Sequence, residues 1–249
     1  MANQPKIEWY LNSQDASAKV TSRVSYGTVD ADTESNVMTF YIWNNRAGVD
    51  DVSKAEDVQI TTRDLAGGLG DTTGSIVEAV RDNWMKVRVD TLAESNFTAI
   101  GKGGVGTTNP SGYKQLGTTG KTRNVKADTA TPWTATATLS LGDIIAPTTP
   151  NGYVYEVTVA GTTGATEPTW LTTEGLLNDD DTVQFTAVQI EKTPALGEIL
   201  GMANNTLDDG SNASDAGGNF VQISTKVDVP MSASSGLNTG VLRASYKFV

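Results

Sequence analysis

The chain has 249 residues, with 29 Asp and Glu against 18 Lys and Arg and a formal charge of −11. That balance argues against DNA or RNA as a partner, because phosphates demand clustered positive charge, and no apolar run reaches the ~20 residues of a membrane helix or the core of a signal peptide, so no membrane role is expected. Cysteine and histidine are both absent, which removes disulfides, thiol nucleophiles, thiolate or imidazole metal sites and every His-based proton relay.

In chain order, residues 36–43 (NVMTFYIW) form a β-branched and aromatic run closed by the polar turn 44–48, where Gly48 is free to take a positive φ. Residues 57–63 (DVQITTR) alternate and then meet LAGGLG at 65–70, predicting a strand and the loop that ends it. Residues 75–82 (SIVEAVRD) are the one helix candidate, barely two turns, with Thr73 or Ser75 as its cap. In 84–90 (WMKVRVD), Lys86, Arg88 and Asp90 take one face and Met85, Val87 and Val89 the other, as in an antiparallel sheet with one wet face. Residues 153–159 (YVYEVTV) and 182–187 (TVQFTA) alternate again. Between them lies a Gly/Thr-rich segment carrying Glu167-Pro168-Thr169-Trp170. Strand patterns return at 219–229, ahead of Pro230, and at 240–249.

Strands at short, regular spacing with Gly and Asn turns predict an all-β fold, an antiparallel β-sandwich with little helix. After residue 101 the composition shifts to Gly, Thr, Lys and Asn, and Glu191-Lys192-Thr193-Pro194 closes the later side. The two stretches read as linkers around an insert. The expected organisation is a discontinuous outer β-sandwich, residues 1–107 with 189–249, interrupted by an inserted β-module at 108–188 that holds the Trp170 motif, since insertions succeed at exposed loop tips.

The order GYVY…AGTTG…EPTW…G…DDDTVQF across residues 152–187 resembles a small β-module that recurs in tail fibres, neck proteins and other structural proteins of tailed bacteriophages. The outer part, with FYIWNN at 40–45, ITTRD at 60–64 and WMKVRVD at 84–90, is similar in pattern to phage structural proteins. The resemblance implies a non-enzymatic virion subunit in the tail, neck or baseplate region, or decorating the capsid. It implies a chain made in the bacterial host cytoplasm that assembles symmetrically with copies of itself and other virion proteins, the inserted module projecting outward.

Trp133, Gly142-Asp143 and Tyr153-Val154-Tyr155 follow a W…GD…GYVY layout similar to small chitin- or cellulose-binding modules, in which exposed rings stack on sugars. That likeness implies an alternative function, a carbohydrate-binding or receptor-binding appendage that stacks host surface glycan on Trp133, Tyr155 and Trp170. The reading favoured by so small a module is that Trp133 and Tyr155 fill its core while Trp170 seals its end.

Residues 178–181 (NDDD) and 208–215 (DDGSNASD) are oxygen-rich loops of the kind calcium accepts. The second lacks a terminal bidentate Glu and its Gly falls too early, and Asp, Asn, Ser and Gly are what turns are made of, so no metal is assigned. The glycine runs at 67–70 and 101–106 suggest phosphate cradles, but neither lies between a strand and a real helix, and both read as loops. The acid pairs Asp50-Asp51 and Glu56-Asp57 are adjacent rather than held across a cleft as glycosidase acids must be. No catalytic residue is assigned and no cofactor is expected.

The last strand, with Val241, Leu242, Tyr246 and Phe248, carries side chains worth burying, which predicts a docked C-terminus. Its partner is its own sheet or the edge of a neighbouring subunit, the strand-addition mode that locks subunits together. Tyr246 and Phe248 are the candidate assembly residues, and the sequence leaves both partners open.

Overall fold

The computed structural model describes residues 3–102, 112–204 and 214–248. The chain divides into two compact units, Met1–Lys121 with Thr193–Val249, and Thr122–Lys192. The glycine run at 103–106 and the oxygen-rich loop at 208–213 lie outside the described residues.

The first unit begins with β1 (Ile7–Leu11), β2 (Met38–Asn44) and β3 (Glu56–Asp64), followed by α1 (Glu78–Arg81), β4 (Met85–Val89), β5 (Thr98–Ile100) and β6 (Lys114–Gln115). The second unit contributes β7 (Ile144–Ala146), β8 (Tyr153–Val159), β9 (Leu177–Asp180) and β10 (Val183–Gln189). The first unit then resumes with β11 (Phe220–Val229) and β12 (Gly240–Lys247).

One sheet of the first unit runs β1-β2-β11-β4-β5 with every neighbour antiparallel, and the other runs β12-β3-β6. Alternation decides how they meet. Phe40 and Ile42 of β2, Val87 and Val89 of β4, and Val221 and Ile223 of β11 join Val58 and Ile60 of β3 in one buried cluster with Ala55, Leu116 and Ile199. Burying a side chain of this size is worth about 1.5–3 kcal/mol, so this shared core holds the two sheets face to face as a β-sandwich. The alternate residues Trp43 and Phe220 turn to the other side of the larger sheet, where their rings stack at 4.6 Å beside Tyr10 and Ala216. β2 is therefore covered on both faces at this end. That is why residues 38–43 read as a nearly unbroken apolar run.

Two local expectations are corrected. The helix shrinks to the single turn of α1, whose N-cap is Val77 with no side-chain cap, because Ser75–Ile76 pairs with Asp71–Thr72 as a short hairpin. In the turn after β2, the positive φ values fall on Asn45 and Ala47. Gly48 is needed for space, since a Cβ there would lie 2.1 Å from Asn45 Oδ1.

In the second unit the antiparallel sheet β7-β8-β10-β9 is joined on the β7 side by Thr131–Pro132, which pairs in parallel. The unit starts at Thr122, later than the boundary at 108 expected from the sequence. β6 pairs with β3 and Leu116 is buried in the sandwich core, which assigns both to the outer unit. Thr122–Arg123 and Glu191–Lys192 form an antiparallel ladder, with Thr122 opposite Lys192, so the chain enters and leaves this unit at one point. The NDDD segment, expected to be a loop, is strand β9. It returns directly into β10 through a turn in which Asp181 takes a φ of 55°, a conformation that short polar side chains tolerate.

Candidate functional site

The three rings proposed for sugar stacking lie in the second unit, and the structure treats them differently. Tyr155 points inward from β8 and is 0% exposed, so it offers no face to a ligand and leaves the stacking set. Its ring stacks on Trp170 at 4.1 Å and 29°, and Trp170 meets Phe185 edge-on at 5.4 Å. Trp170 is half-buried and covers the core, the plug position expected for it. Such ring pairs add about 0.5–1.5 kcal/mol beyond area burial. The Tyr155 hydroxyl donates to Leu171 O at 3.2 Å and accepts from Asn151 Nδ2 at 2.9 Å, which satisfies its polar end.

Two carboxylates anchor the two indoles of this unit. Glu167 accepts from Trp170 Nε1 at 2.8 Å, from Thr148 N at 2.9 Å and from the Thr148 hydroxyl. Burial alone would push the Glu167 carboxyl up; the donors from Thr148 and Trp170 outweigh it and hold the group below the usual carboxylate range. Buried Asp180 accepts from the half-buried Trp133 through Nε1 at 2.8 Å and from Gly164 N at 2.9 Å. Gly161 is equally constrained, because a Cβ there would fall 2.4 Å from Thr182 O. The residues of the AGTTG and EPTW segments thus close a small sheet. Sequence reasoning missed Asp180, whose place in a DDD run made it look like a turn residue.

The 67–70 glycine loop does bind an anion through its backbone, and the anion is its own neighbour. Asp64 accepts from Ala66 N at 2.9 Å, Gly68 N at 2.7 Å and Gly70 N at 3.1 Å. The Gly68 amide, with those of Gly70 and Ala66, holds the carboxyl below its ordinary range against the opposing effect of burial. Those donors are therefore engaged within the loop. Among the described residues, no group of three or more acids is placed to hold a metal ion, and no helix is long and apolar enough to cross a membrane.

At the C-terminus the strand docks on its own sheet. β12 pairs with β3 from Gly240 opposite Asp64 to Lys247 opposite Glu56, with a register shift after Ser245. Leu242 packs on the sandwich core. Tyr246 and Phe248, expected to be buried, are instead 38% and 44% exposed, and Val241 is 41% exposed. β12 ends its sheet, and among the described residues 240–248 make no backbone hydrogen bond outside the ladder with β3. β9 likewise ends the sheet of the second unit, with Leu177 52% exposed beside Asp179. The structure therefore brings together a closed aromatic plug and leaves the outer edges of β12 and β9 without further backbone pairing among the described residues.

The chain matches no protein family, no curated protein and no solved structure.

Proposed function

We propose that this chain is a non-enzymatic structural subunit of a bacteriophage virion, in the tail, neck or baseplate region or decorating the capsid, which works by symmetric assembly with copies of itself and neighbouring virion proteins. The observation that carries the reading is the use made of the residues that resemble the phage β-module. Tyr155, Gly161, Gly164, Glu167 and Trp170 all go into closing a small rigid sheet. A module whose signature residues are structural suits contact and presentation. The open edge of β12, lined by Val241, Tyr246 and Phe248, adds a surface of the kind that joins subunits by strand addition.

Light scattering on the full chain over a range of concentrations, with mass spectrometry of virion fractions, tests the proposal. Discrete oligomers and presence in particles are expected. A chain that stays monomeric and is missing from virions would overturn it.

A glycan-binding appendage is the second reading, favoured because Trp133 and Trp170 are only half-buried. Titration with chitin and cellulose oligosaccharides, followed by tryptophan fluorescence, separates the two. Plugged rings give no saturable change, whereas a response abolished by Trp133→Ala would favour the appendage.

A further inference from the structure

We infer that the outer edge of β12 in one copy adds to the outer edge of β9 in a second copy, with Arg243 seated beside Asp179 and Asp181, so that copies join head to tail. The inference rests on the assembly reading and names the two surfaces that meet.

Both strands end their sheets, and outside their ladders neither exchanges backbone hydrogen bonds with another segment among the described residues. An uncovered strand edge is a template for another strand. Charge selects which edge. Beyond Asp228 the chain carries Arg243 and Lys247 and no acid, while residues 122–192 hold nine Asp and Glu against three Lys and Arg. Lys247 is engaged by Asp57 at 2.5 Å, but exposed Arg243 has no ion-pair partner among the described residues. On β9 and its turn, Asp179 and Asp181 are exposed, and among the described residues the side chain of Asp179 accepts only from the Gln184 amide at 2.8 Å. β12 against its own copy gathers arginines, and β9 against its own copy gathers aspartates. The cross pairing alone sets opposite charges together, the arrangement that favours one strand partner over another.

The exposed faces also match in their two-residue spacing. Val241 and Arg243 share one face of β12, as Leu177 and Asp179 share one face of β9. Laid in the same direction, the strands set Val241 beside Leu177 and Arg243 beside Asp179. Because the surfaces differ, each added copy leaves one β12 and one β9 free, so addition continues until a ring closes or a filament grows. One strand ladder is a small contact compared with the ~1,200 Å² of a stable interface. Assembly is therefore concentration-dependent, and salt weakens it as the exposed charges are screened.

Sedimentation velocity on the full chain, at rising protein concentration and at low and high salt, tests this. The wild type is expected to form species larger than a dimer. Arg243→Glu, and separately Asp179→Arg combined with Asp181→Arg, are expected to raise the concentration needed by roughly tenfold, through like-charge pairs across the ladder. All three positions are exposed, so Arg243→Glu keeps the wild-type melting midpoint, while the double variant melts slightly lower because Asp181→Arg places a long side chain at a positive φ. Mixing the two variants restores assembly, since each then offers the other a complementary edge. Oligomers that ignore both reversals, or that stop at a two-fold dimer, would overturn the inference and leave the assembly reading standing. A wild type that is monomeric at every concentration would overturn the inference, and absence from virion fractions as well would remove the assembly reading with it.

Discussion

Asp64 shows how one side chain can answer a question that a glycine-rich stretch raises. Its carboxylate takes up three amide donors of the loop that follows β3, and its folded pKa is lowered for that reason. Glu167 is lowered as well. A carboxyl depressed by folding contributes stability that is present above its unfolded value near ~4 and is lost as pH falls through the lower folded value. The melting midpoint of the wild type should therefore fall as pH drops from about 5 toward 2. Asp64→Asn should show a shallower fall over the same window and a lower midpoint at pH 7, measured by circular dichroism. None of this was legible in LAGGLG alone, since a glycine loop does not announce which anion it will hold. Tyr155 was equally ambiguous, because an aromatic on an alternating strand fits a core or a platform until the opposite face is known.

Among the elements, those whose burial follows a two-residue period were readable and those held by a partner were not. β4 was legible down to its faces, with Val87 and Val89 buried and Lys86 and Arg88 outward. β9 was hidden, because its inward residues are Asn178 and Asp180, polar groups that become buried only where Leu171, Gly164 and Trp133 supply donors. The central strand of the smaller sheet, β3, is the element on which the sandwich closes. Ile60→Ala removes a fully buried side chain there and should cost about 2–5 kcal/mol. Val159→Ala, at a position that is 50% exposed, should stay within about 0.5 kcal/mol of wild type. Urea unfolding followed by tryptophan fluorescence measures both, and equal losses would refute the assignment of the core.

For the molecule as a whole, the pairing of Thr122 with Lys192 sets the prediction. Cross-strand neighbours lie about 4.5–5.5 Å apart at Cα, so replacing residues 122–192 by a short Gly/Ser linker should leave the outer sandwich folded. The excised segment should also melt cooperatively, since it has its own buried cluster around Tyr155 and Phe185. Loss of the strand signal in either piece, seen by circular dichroism, would refute two independent units. The sequence by itself determined the class: alternating runs with Gly and Asn punctuation specify sheets, because strand periodicity is a property of neighbouring residues. Which faces were buried, where the insert began, that Asp180 and Glu167 hold Trp133 and Trp170, and that β12 and β9 end their sheets were decided only by the tertiary structure. Those facts depend on residues far apart in the chain, and no local pattern encodes the partner that a strand edge or a carboxylate will meet.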